Sequence, residues 1–197
     1  HRYTNSIGNN DVTTNGNTMT ITQDKTLNTA QFNFQTFAIG TDYFVNFKQQ
    51  SSGSTMVNNV TGNNMSEIYG HINATGNVVL INPNGALFDG ATVNVGGLAV
   101  YATNSMKATD FNKDITQGNI TIKDSTITAG VSTAAQLAKD WNITDYAVGI
   151  ASNANRIRLV ADGNVNLQGS TVLQAVDTTV ATGTNIEGEE EFEMEGN

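Results

Sequence analysis

Only two histidines, His1 and His71, and no cysteine occur in 197 residues, so a zinc site or a Ser-His-Asp relay has little material to draw on. His71 reads as a structural side chain and His1 as a terminal residue. Asp110, Asp114 and Asp124 are close enough in sequence to suggest calcium. They lack the dense Asp-x-Asx-x-Asx-Gly alternation of a binding loop and read as solvated turn residues. Arg156 and Arg158 share one face of a strand with little acid nearby, the pattern of an exposed surface. Gly96-Gly97 is followed by no Gly-Lys-Ser/Thr, so a tight corner fits it better than a phosphate loop. The Asn-x-Ser/Thr triplets at Asn59, Asn64, Asn73, Asn119 and Asn142 are expected by chance in a chain so rich in Asn and Thr. No catalytic, metal or cofactor residue is predicted, and no enzyme activity.

Composition narrows the partners. Nine basic against 18 acidic residues give a formal charge of −9, which disfavours a phosphate-binding surface and hence nucleic acid. No apolar run approaches the roughly 18 residues of a membrane span, so stable membrane insertion is not expected. The length suits one domain over residues 1–186, expected to be a monomer. Residues 187–197 carry a glutamate cluster whose like charges repel, and are expected to be disordered.

Any binding surface must therefore be carried by strands. Only 14% of residues are charged, and the polarity comes from Asn, Thr, Ser, Gln and Gly, which favour strands and turns over helices. Short alternating runs recur, among them Met19-Thr20-Ile21-Thr22, Asn119-Ile120-Thr121-Ile122-Lys123, Arg156-Ile157-Arg158-Leu159-Val160 and Asn164-Val165-Asn166-Leu167. Ile157 and Leu159, Val165 and Leu167, then Val172 are predicted to point to one side. Such strands fit successive sides of a parallel β-helix, and a β-sandwich would show the same periodicity. Irregular residues from about Arg2 to Gln31 would form an N-terminal cap over the open end of such a helix. Ser132 to Trp141 breaks the β pattern: a Ser N-cap, a helix-forming run and Leu137 four residues before Trp141 predict a short helix packed back by Trp141.

The most apolar run, Val78-Val79-Leu80-Ile81, leads directly into Asn82-Pro83-Asn84-Gly85, which holds the single proline of the chain. A buried strand running into a tight turn is predicted, with Pro83 presetting its own φ and Gly85 or an Asn taking φ > 0. Upstream stand Asn58-Asn59-Val60-Thr61-Gly62 and Gly62-Asn63-Asn64-Met65-Ser66-Glu67-Ile68-Tyr69-Gly70-His71-Ile72; downstream stands Ala91-Thr92-Val93-Asn94-Val95-Gly96-Gly97-Leu98-Ala99. In this order and spacing the blocks resemble the secretion domain, or haemagglutination activity domain, of two-partner secretion exoproteins such as filamentous haemagglutinins. The sequence departs from that pattern at Asn59, Met65 and Ala86, where Arg, Pro and Ile or Val are usual, and it has no Asn-Pro-Asn-Leu block; these bear on the subgroup.

The resemblance implies an all-β, right-handed parallel β-helix with an N-terminal cap and a helical excursion near residues 132–141. It implies an N-terminal secretion domain of a large Gram-negative exoprotein, with a signal peptide removed before His1 and further chain after Asn197. Such a domain is recognised by the periplasmic domains of a cognate outer-membrane β-barrel transporter and ends secreted or on the cell surface, via the periplasm. Asn58, Asn59, Gly62, Asn82, Pro83, Asn84 and Gly85 are the expected recognition or fold-nucleating residues, with no cofactor. Two other readings remain open, a self-contained host-binding adhesin and a β-helix polysaccharide-degrading enzyme, although the acids are scattered where the latter needs a cluster.

Overall fold

The computed structural model describes residues 2–103, 118–149 and 151–183, and the backbone of 190–195. Asp110 and Asp114 lie outside them. The chain opens with β1 (Tyr3–Ile7) and the hairpin β2 (Asp11–Asn15) and β3 (Thr18–Thr22), followed by β4 (Thr29–Phe34), β5 (Phe44–Lys48) and β6 (Thr55–Val60). Successive coils then follow one order of sides: β7 (Ser66–Ile68), β8 (His71–Ala74) and β9 (Asn77–Ile81), and above them β10 (Ala86–Asp89), β11 (Thr92–Val95) and β12 (Gly97–Ala102). The third such coil is β13 (Ile120–Lys123), β14 (Thr126–Ala129), the helix α1 (Val131–Asp140) and β15 (Arg156–Ala161). The last is β16 (Val165–Gln168), β17 (Val172–Gln174) and β18 (Asp177–Thr182), followed by β19 (Glu190–Glu195).

Like strands of successive coils pair in parallel and build three sheets, ordered β1-β4-β6-β9-β12-β15-β18-β19, β16-β13-β10-β7 and β17-β14-β11-β8-β5-β3-β2. This is the expected parallel β-helix. Register stacks like on like: Val78 sits beside Leu98 and Leu98 beside Ile157, while Leu80, Val100, Leu159 and Val180 form the next column. These side chains are buried with Phe32, Phe47, Phe88, Ile122 and Ile127 in one continuous core. Each fully buried side chain of this size contributes about 1.5–3 kcal/mol. Outside, Asn46, Asn73 and Asn94 form an amide ladder, Asn73 Nδ2 donating to Asn46 Oδ1 at 3.1 Å and Asn94 Nδ2 to Asn73 Oδ1 at 3.4 Å.

The structure corrects four expectations. The N-terminal cap is not irregular: β1 pairs antiparallel with β4, β2 antiparallel with β3, and β3 and β4 already pair in parallel with the next coil. Antiparallel strands close an edge that would otherwise present free backbone groups. The same device appears in the acidic tail expected to be disordered, where the backbone of β19 pairs antiparallel with β18. In β17, Leu173 stands beside the core residue Ile127 while Val172 stands beside the exposed Thr126, so the inward residue is Leu173. The helix is capped by Gly130 without a side-chain cap, and buries Ala134 and Ala138; Leu137 and Trp141 are only half-buried. Small side chains one turn apart let the helix lie close to the body, which a Trp anchor would hold off.

Candidate functional site: the Asn82–Gly85 corner

The turn after β9 forms because each of its residues meets a separate requirement. Gly85 N–H donates to Asn82 C=O at 3.0 Å and closes the turn. Pro83 follows Asn82, where a preset φ fits the second position of a tight turn. The positive φ falls on Gly85, at 110°, and on neither asparagine, which settles the choice left open by the sequence. Asn82 N–H pairs up the stack with Tyr101 C=O at 2.8 Å, and Ala86 N–H with Asn119 C=O at 2.9 Å.

The asparagine side chains tie the corner to the coil below. Asn82 is 1% exposed. Its Nδ2 donates to Asn64 C=O and to Ser66 Oγ, each at 3.0 Å. Its Oδ1 accepts from Asn84 N–H and Asn84 Nδ2, each at 2.9 Å. Asn84 Nδ2 also reaches Gly62 C=O at 2.8 Å, and Ser66 N–H donates to Gly85 C=O at 3.0 Å. Gly62 in turn rests on the coil beneath, where a Cβ would lie 2.1 Å from Gln35 C=O. Three coils are thus fastened at one corner by amides and a glycine.

Of the predicted residues, Gly62 and Asn82, Pro83, Asn84 and Gly85 meet here. Asn58 and Asn59 do not. They sit side by side on opposite faces of β6, Asn58 in the core at 0% exposure and Asn59 outside, its Nδ2 donating to Asn33 Oδ1 at 3.2 Å. Asn58 Nδ2 donates to Val79 C=O at 3.1 Å, while its Oδ1 is buried without a partner. The exposed residues of the corner are Thr61, Asn63, Asn64 and Met65.

The corner holds no titratable side chain, and the described residues contain no group of three or more His, Cys, Asp or Glu placed to hold a metal. His71 stacks on Phe44, ring centroids 4.2 Å apart and planes 8° from parallel. Asp124, at φ 48°, accepts from Ser170 N–H at 2.8 Å and shapes a turn. Arg156 has an acidic neighbour after all, since Asp177 stands opposite it in register with Nε and Oδ2 3.5 Å apart. Sequence reasoning missed a second polar knot one corner away: Gln49 Nε2 donates to Gln23 Oε1 at 3.1 Å and to Asn77 C=O at 3.0 Å, all three residues being buried. Uncharged amides scattered over 55 residues carry no local signal for such a cluster.

The corner's geometry fixes a turn and clamps coils. The chain is 44% identical to a heme/hemopexin-binding protein of Haemophilus influenzae over 93 residues, which are 47% of this chain and 10% of that protein. It is 31% identical over 151 residues to the tRNA nuclease CdiA of Escherichia coli O6:K15:H31, covering 68% of this chain and 4% of that protein. The chain therefore spans a tenth or less of these relatives, and the nuclease named in the second extends far beyond the matched part. In structure it superposes on the HMW1 secretion domain of Haemophilus influenzae with a TM-score of 0.54 at 23% identity, over 88% of this chain and 44% of that one, a likeness of fold. The sequence model of the TPS secretion domain matches residues 2–197, and the chain belongs to that family: it is the secretion domain of a two-partner secretion exoprotein, a class of Gram-negative proteins secreted across the outer membrane with a dedicated transporter.

Proposed function

We propose that the transporter's periplasmic domains take hold of residues around 58–85 before the corner has closed, and that closing of the corner then seeds the stacking of coils outside the cell. Burial carries this reading. Asn58 is 0% and Asn82 1% exposed, and Gly85 is buried, so the folded domain withholds these three from a partner, while Asn59, Gly62, Pro83 and Asn84 stay half-buried. An unfolded segment presents all of them, together with backbone groups free to pair with a sheet edge. The folded monomer is in this reading the product of export and not its substrate.

Folding can also bias the direction of movement where no nucleotide is available. Ser66 and Ala86 stand in register, so one coil there takes 20 residues. At about 0.05–0.15 kcal/mol per residue such a coil is worth roughly 1–3 kcal/mol, enough to oppose back-sliding step by step. The test is binding of the purified periplasmic domains to this protein in its folded form and in a form kept unfolded. Tighter binding to the unfolded form is expected, and equal affinity for both would overturn the reading.

A further inference from the structure

Between β14 and β15 the chain leaves the helix and returns to the point it left. Ala129 stands beside Val95 and Ile157 beside Leu98, so residues 130–156 occupy a step that the coil below makes with Gly96 and Gly97 alone. The two ends are tied together. Gly130 N–H donates to Val95 C=O at 2.9 Å, Asn155 N–H to the adjacent Gly96 C=O at 2.8 Å, and Val131 N–H to Asn155 Oδ1 at 2.8 Å. The stack therefore does not need the excursion for its continuity.

After α1 the chain runs backwards along the stack, to a corner formed by residues 50–53 and Thr75. Ala147 N–H donates to Gln50 C=O at 3.0 Å and Ser52 N–H to Ala147 C=O at 3.1 Å, a strand-like exchange. Gln50 Nε2 donates to Thr144 C=O at 2.6 Å. Ser52 Oγ donates to Gly149 C=O and accepts from Gly149 N–H, both at 2.8 Å. Tyr146 Oη donates to Thr75 C=O at 2.6 Å. The fit is close, since a Cβ on Gly149 would lie 2.9 Å from Ser51 Oγ.

We infer that residues 141–149 are a detachable strap that closes last, binding back onto a groove which the earlier coils have already built at residues 50–53 and 75. Loop lengths set the order. Stacking β6 on β9 brings together residues 22 apart, Thr55 and Asn77, whereas the strap joins residues up to 97 apart, a loop roughly fourfold longer. The groove's partners are main-chain groups, the Gln50 amide and the Ser52 hydroxyl, so an extended peptide of the strap's sequence can occupy it in trans. An N-terminal half that has folded alone stays open at this corner until Gly149 arrives. Then coils far apart in the chain become locked together. The inference concerns the purified protein and involves no transporter, so its failure and that of the export reading are distinguishable.

Two variants test it by amide hydrogen exchange. In Tyr146→Phe, exchange at Ser52, Ala147 and Gly149 is expected to speed up by about tenfold, the factor that loss of one such hydrogen bond carries, while the amides of β9 stay as protected as before. Deleting residues 131–154, which joins Gly130 to Asn155, is expected to leave the β-sheet circular dichroism intact and the Ser52 amide unprotected. A synthetic peptide spanning Trp141–Gly149 should then restore that protection in a saturable way. Equal acceleration at Ser52 and throughout β9 in Tyr146→Phe, a deletion variant that fails to fold, or a peptide without effect would each show an integral part of the helix and overturn the inference.

Discussion

Replacing Asn82 by Ala removes the side chain on which the corner is built. Four hydrogen bonds go at once, two donated by Nδ2 and two accepted by Oδ1, at 2.9–3.0 Å in a residue 1% exposed. With a net worth of about 1 kcal/mol each, and with Asn84 N–H and Asn64 C=O still able to find water at the half-open rim, a loss of about 3 kcal/mol is expected. For a chain of this size that lowers Tm by about 6–12 °C. Asn64→Ala is the matched control, since Asn64 is exposed and contributes only its carbonyl; its stability should change by less than about 0.5 kcal/mol. Both variants are to be measured by thermal unfolding and by export of a reporter fused after residue 197 in cells carrying the cognate transporter. The corner-first reasoning expects Asn82→Ala to lose stability and export together and Asn64→Ala to keep both. A Tm unchanged in Asn82→Ala refutes the structural argument, and normal export of a clearly destabilised Asn82→Ala refutes the role of the corner in secretion.

Gly62→Ala places a Cβ 2.1 Å from Gln35 C=O and should cost about 1–3 kcal/mol, read as a lower denaturant midpoint at unchanged slope. Asn58→Leu exchanges a buried amide with an unpartnered oxygen for a side chain that matches its neighbour Leu80, and should raise stability by about 1 kcal/mol; a lower Tm would show that the bond to Val79 C=O matters more. Asp24 accepts from Asn9 N–H at 2.9 Å and from Thr26 N–H and Oγ1, which hold its carboxyl below the usual value of 3.8. A lowered pKa stabilises the cap above the usual value and loses that contribution as the pH falls through the shifted one. The amide resonance of Asn9 should therefore move as acid is added below about pH 4, and a shift absent from Asp24→Asn would identify the carboxylate as the cause.

Single strands and turns were legible in the sequence where hydrophobic period and turn chemistry act locally, while their parallel stacking followed from the family resemblance, since a β-sandwich has the same periodicity. Val78 to Ile81 followed by Asn82-Pro83-Asn84-Gly85 predicts a buried strand and a tight turn, and both are present. Ile157 and Leu159 point inwards as their alternation requires. Alternation fails at Val172 and Leu173, because β17 lies at the open end of its sheet, where register against β14 and not hydrophobicity decides which residue faces in. Residue types could say that the turn needed one positive φ, but three candidates stood within four positions; the backbone of the folded corner places it on Gly85, at 110°. What no local pattern carries is the pairing of groups distant in the chain. Asn84 finds Gly62, Gln49 finds Gln23 and Asn77, and Gly149 finds Ser52 only once the coils are stacked, because an uncharged amide or hydroxyl has no partner preference that sequence spacing could reveal. The strands were set by side-chain chemistry along the chain, and the corner and the strap by the distances that stacking creates across it.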